Sequence, residues 1–129
     1  MISQKIINEQ FYLGKDLLDR GKFKEAILIY DGLIPAVANY EGNDEFKVTY
    51  ETSLNNRGVG KCKLAIQNND LGLYEEGIAD FELSVEVSGI TDVHELSMLT
   101  AGINLMFSRE EKKKFTGANG EGLSTTNMS

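Results

Sequence analysis

Apolar residues recur along most of this chain at intervals of three and four, the spacing that lays one stripe along a helix. In the first segment they stand at Ile6, Ile7, Phe11, Leu13, Leu17 and Leu18, and Gly21 follows as a stop. The second segment carries Phe23, Ala26, Ile27, Tyr30, Leu33, Ile34 and Val37. Pro35 lies inside it and removes the hydrogen bond to the carbonyl of Asp31, which predicts a kink and one more turn before Glu41-Gly42-Asn43-Asp44. A third helix is expected over 45–68, with Phe46, Tyr50, Leu54, Cys62 and Ala65 on its buried side. Asn68-Asn69-Asp70 and Gly72 end it, because these residues favour caps and turns. A fourth holds Tyr74, Ile78, Phe81 and Val85 and stops near Ser88-Gly89. Thr91 or Asp92 caps a fifth, with Glu95 placed to reach back and Val93, Leu96, Leu99, Ile103 and Met106 as its inner face.

No segment shows the sustained period-two alternation of a strand. Five helical patterns separated by short polar turns predict an all-α fold of antiparallel neighbours. One domain is expected over 1–115, since about 130 residues can bury roughly two-thirds of the surface an unfolded chain exposes. The segment 116–129 is rich in Gly, Ser, Thr and Asn, offers little to bury, and is expected to be a disordered tail.

The chain also repeats itself. Phe23-Lys-Glu-Ala26-Ile-x-x-Tyr30 and Tyr74-Glu-Glu-Gly77-Ile-x-x-Phe81 are one phrase written twice. The small residue lets two helices cross closely, and the aromatics on either side fill the space between them. Leu13-Gly14 precedes the first copy and Arg57-Gly58 the second. These features resemble the tetratricopeptide repeat, a helix–turn–helix unit of about 34 residues. The family's Leu-Gly pair matches Leu13-Gly14, and Asn55-Asn56-Arg57-Gly58 stands at the corresponding place in the second copy. The resemblance implies antiparallel helical-hairpin repeats over 6–41 and 45–89, stacked as a right-handed α-α superhelix, and a terminal helix over 92–114 with Gly102 at the glycine position. Gly14 to Gly58 is 44 residues and Gly58 to Gly102 again 44, longer than the family norm, and Pro35 lies earlier than the family's closing proline.

Charge narrows the range of partners. Thirteen Lys and Arg against twenty Asp and Glu leave a formal charge of −7. Such a surface repels phosphate backbones and anionic lipid, so neither a nucleic acid nor a membrane is expected as partner. Arg109, Lys112, Lys113 and Lys114 read as a solvated helix end that complements the dipole, with Glu110 and Glu111 diluting any patch. No apolar run approaches the ~20 residues that span a bilayer. Residues 1–7 lack the pattern of a signal peptide, and Cys62 is the single cysteine, so a cytoplasmic location is expected.

Catalysis finds little support. His94 and Cys62 fall on different helices with no motif around either, and no phosphate loop or metal spacing occurs. Cys62 reads as a small apolar filler and His94 as a surface or capping residue. Glu75-Glu76 and Asp80-Glu82 read as the solvated face of the fourth helix. No enzyme, cofactor or metal is expected.

The resemblance implies recognition of a protein or peptide in a concave groove lined by the first helix of each repeat. Groove positions carried over from the family are Asn8, Phe11, Tyr12 and Lys15, then Asn55, Asn56, Val59 and Lys63, then Leu99, Thr100 and Ile103. Phe11, Val59 and Ile103 serve equally well as core between neighbouring helices. A clamp for a C-terminal carboxylate is not expected, because Phe11 and Lys15 stand where the family places Lys and Asn. The alternative is a self-assembling structural protein. An array ending on the first helix of a third repeat would leave Leu99, Met106 and Phe107 uncovered, and two copies would bury them as a homodimer.

Overall fold

A computed structural model of the chain describes residues 3–88 and 95–116; within the last helix the side chains of 95–98, 114 and 116 fall outside that description. The described residues form five helices and no strand. Helix α1 spans Gln4–Asp19, α2 Phe23–Val37, α3 Asp44–Asn68, α4 Leu71–Ser88 and α5 Glu95–Thr116. The all-α expectation holds, and no described helix is long and apolar enough to cross a membrane.

Local chemistry sets the ends. The Ser3 hydroxyl accepts from the amide of Ile6, and the Asn43 side chain accepts from that of Phe46, so two orphan amides are satisfied. Asp70 caps α4 in the same way, through the amide of Leu73. At the end of α1, the amide of Lys22 reaches the carbonyl of Leu17 while that of Gly21 reaches Leu18. This pairing needs a left-handed residue, and Gly21 supplies it with φ of +76°. Pro35 does not end α2 at once: the helix runs on to Val37, short of the further turn expected. Gly72, expected to close α3, lies inside the first turn of α4.

Consecutive helices run antiparallel. Tyr30 and Asp31 of α2 meet Asn56 and Arg57 of α3, while Ile27 lies under Gly60. Glu51 is matched with Ser84, and Cys62 with Tyr74, across α3 and α4. Helix α5 returns along α4, with Glu82 opposite Arg109 and Glu75 opposite Lys112. It therefore runs parallel to α3, beside which Asn55 meets Asn104 and Cys62 meets Ser108.

The core falls into two clusters joined by α3. One gathers Ile7, Tyr30, Leu33, Ile34, Val37 and Leu54. The other gathers Cys62, Ala65, Tyr74 and Phe81, with Leu105 and Phe115 of α5 packed against it. The doubled phrase reappears as a doubled contact. A methyl group added to Gly14 would meet the Tyr30 ring at 2.7 Å, and one added to Gly58 would meet the Phe81 ring at 2.6 Å. Ala26 and Gly77, the small members of the phrase, are both buried.

Three expectations are corrected. The inner face of α5 is not the apolar stripe: Leu99, Ile103 and Met106 are 52%, 66% and 69% exposed. Ala101, Asn104, Leu105, Ser108 and Phe115 face the body instead, because that side carries the small and polar groups that fit against α3 and α4. The remaining expected members of the face, Val93 and Leu96, lie outside the described residues or side chains. Asp80 is not solvated but buried. It accepts two hydrogen bonds of 2.8 Å from the Arg57 guanidinium, which also reaches Asp31. Nor is the basic end of α5 merely a dipole complement, since Lys112 pairs with Glu75 at 3.1 Å and Arg109 approaches Glu82. Glu75, Glu76 and Glu82 are exposed as expected.

Candidate functional site

A cleft of about 540 Å³ lies between α3 and α5. Its floor is Tyr74 and Phe81, fully buried where α4 crosses beneath. Val59 and Ile66 of α3 form one wall, Asn104 and Phe107 of α5 the other, and Phe23 closes the end nearest α2. Two apolar rims stand in solvent, Ile66 at 43% exposure and Phe107 at 64%. The wall exists because α3 and α5 both rest on α4 without filling the space between them.

Polar groups below the cleft are held in place. The Tyr74 hydroxyl donates to the carbonyl of Ser108, and the Ser108 hydroxyl donates to Cys62 Sγ at 3.7 Å. The Cys62 thiol in turn donates to the carbonyl of Tyr74. Burial pushes that thiol up to about 11, partly offset by the Ser108 contact. A thiol so placed stays protonated at neutral pH and is a poor nucleophile. Burial likewise raises the Tyr74 phenol. At the rim, Lys63 is exposed and makes no ion pair among the described residues, whereas Glu111 is engaged within the chain.

The eleven groove positions divide. Val59 and Lys63 line the cleft, and so does Phe107, assigned to self-association rather than to the groove. Asn55 and Asn56 are buried ties between helices: Asn55 accepts from Asn104 at 3.0 Å, and Asn56 donates to the Tyr30 hydroxyl at 3.0 Å. Tyr30 passes that bond on to the carbonyl of Phe11, so the Asn56 amide is committed inside the fold. Phe11 is half-buried against the first cluster, and Val59 against the second, the core role open to them from the sequence.

The α1 positions are farther out. Tyr12 is 68% exposed with its ring edge-on to Phe11, Asn8 accepts from Gln4, and Lys15 pairs with Asp19. Leu99, Thr100 and Ile103 lie on the exposed side of α5 rather than in the cleft. Leu99, Met106 and Phe107 are each more than half exposed, as the self-assembly alternative requires of its contact residues.

Sequence reasoning missed Ile66, Asn104, Ser108 and the aromatic floor. Ile66 and Ser108 fall at helical spacing from Cys62 and Asn104, so the stripe was present, but which stripes face each other is a tertiary fact. Among the described residues no group of three His, Cys, Asp or Glu is placed to hold a metal, and His94 lies outside them. Compared with protein-family models, curated proteins and solved structures, the chain matches none.

Proposed function

We propose that the chain is a non-catalytic binding module, a short tetratricopeptide-type array that holds a protein segment in the cleft between α3 and α5. The carrying observation is the cleft itself: an aromatic floor of Tyr74 and Phe81 and walls that mix Val59 with Asn104, with Ile66 and Phe107 left in water at the rim. Exposed apolar rims are costly to a monomer and are a mark of interaction sites. The repeated glycine–aromatic contacts of the two hairpins support the repeat reading.

A segment with two apolar side chains on one face fits a groove between parallel helices. Lys63, exposed at the rim, favours an acidic residue beside those anchors. Peptides selected by phage display on the full chain, then titrated against wild type and variants, test the reading. Ile66→Glu should weaken them at least about tenfold, because it puts a charge where an apolar anchor would dock, and Lys63→Glu by less. Failure to enrich any peptide, or binding indifferent to Ile66→Glu, removes the cleft as the site.

A further inference from the structure

The two hairpins treat their first-helix glycines alike, and α5 departs from the pattern. Gly14 of α1 receives the Tyr30 ring of α2, and Gly58 of α3 receives the Phe81 ring of α4. Gly102 stands 44 residues after Gly58, as Gly58 stands 44 after Gly14. Yet among the described residues nothing lies within 4 Å of where its side chain would begin. Beside this open notch Leu99, Ile103 and Met106 follow each other at intervals of four and three, all exposed. Such spacing presents one continuous apolar seam to a second helix.

We propose that this outer face of α5 docks an amphipathic helix of another protein, one that carries a small residue four positions before an aromatic ring. That chemistry is read from the occupied sites. Ala26 precedes Tyr30 by four residues and Gly77 precedes Phe81 by four. The small residue brings the backbones together, so close that a methyl group on Gly77 would meet the carbonyl oxygen of Gly58 at 2.8 Å. The ring one turn later then fills the notch over the glycine. A helix lacking either part would leave the Gly102 notch empty or be held off by its own bulk.

Other occupants fit less well. The segment 117–129 contains no aromatic residue. In a second copy the two most exposed aromatics are Tyr12 and Phe107, and four positions before them stand Asn8 and Ile103 rather than Ala or Gly. A charge of −7 on each chain also sets two copies against one another. The face is separate from the cleft, so the inference goes beyond the binding reading above.

The test displays a library of amphipathic helices, randomised at the small and aromatic positions, to the full chain. Enriched helices should carry Gly or Ala followed four residues on by Phe or Tyr. Gly102→Leu fills the notch without strain and should weaken them at least about tenfold, as should Met106→Glu. Ile66→Glu, in the cleft, should leave them bound, which separates this face from the other site. No enrichment, or equal binding to Gly102→Leu, overturns the proposal. So does a concentration-dependent dimer in light scattering that Met106→Glu abolishes, since a second copy would then hold the face.

Discussion

Gly77 and Gly32 both sit inside helices with ordinary backbone angles, and the physics of their surroundings assigns them opposite roles. A methyl group on Gly77 would meet Cys62 Sγ at 2.6 Å and the backbone oxygen of Gly58 at 2.8 Å, and backbone cannot step aside as a rotamer can. Gly77→Ala should therefore lower stability by about 1–3 kcal/mol through overpacking, despite a gain in helix propensity. Gly32 meets nothing within 4 Å, so Gly32→Ala should raise stability by roughly 0.5–1 kcal/mol. Urea denaturation of the two variants checks both signs, and equal shifts would remove the close crossing of α3 and α4. Cys62 yields a pH dependence at the same scale. Its thiol would titrate near 9.0 in the unfolded chain and near 11 in the folded one, where burial holds the proton. Between those values the native state binds more protons, so stability is full below pH 9 and falls as pH rises, by at most about 1.4 kcal/mol per pH unit. Tyr30, raised by burial from 10.0 to about 12, acts in the same direction at higher pH. Denaturation midpoints measured from pH 8 to pH 11 should decline, and in Cys62→Ala the decline should begin only above pH 10.

At the scale of elements, the apolar spacing made most of the helices legible, α3 and α4 included, whereas the polar residues that packing on more than one side buries were not. Helix α1 carries the three-and-four spacing and closes at Gly21 as expected, whereas α2 stops at Val37, short of the turn expected beyond Pro35. Helix α3 is packed by α2 on one flank and α4 on the other, so Glu51, Ser53, Asn55 and Asn56 are buried beside Leu54 and no single stripe reports it. Helix α5 misled for the converse reason. Its strongest stripe faces water, and its contacts with the body run through Ala101, Leu105, Ser108 and paired charges, which carry a weak hydrophobic signal. The doubled phrase was legible because both copies perform one packing task, whereas the cleft depends on which helices lie side by side. Asp80 shows what the charge pattern hides: on α4 it looked like its exposed neighbours, yet it ties α4 to α3 through Arg57. Asp80→Ala should cost roughly 3 kcal/mol, the low end for breaking a buried pair, because Asp31 still holds Arg57. Glu82→Ala, removing an exposed carboxylate 3.8 Å from Arg109, should change stability by less than about 1 kcal/mol. Thermal melts of the pair discriminate, and similar shifts would mean that the Arg57–Asp80 bridge is not a tie between elements.

Across the whole molecule, the two clusters depend on α3 to different degrees, and this orders how the fold should open. The first cluster is shared among α1, α2 and the N-terminal half of α3, with large side chains from each. The second rests on α3 and α4, and α5 adds Leu105, Phe115 and a set of polar ties to its outer side. Phe115 lies 5.2 Å from the Tyr74 ring at an angle of 59° and packs with Leu105 against this cluster. Helix α5 thus adds two apolar side chains and a few polar ties to the outer side of one cluster, and its ion pairs with α4 face solvent and contribute under about 1 kcal/mol each. It has less to lose by detaching than α3 or α4. Opening α5 also unroofs the cleft, because one of its walls leaves with it. Native-state hydrogen exchange should therefore find α5 amides opening at a lower free energy than those of α3 and α4. Phe115→Ala should lower α5 protection by about 2 kcal/mol, the loss expected for a half-buried aromatic, and leave the amides around Tyr30 unchanged. Equal loss of protection across both clusters would instead mean that α5 opens only with the whole chain, and that the cleft is as rigid as the core beneath it.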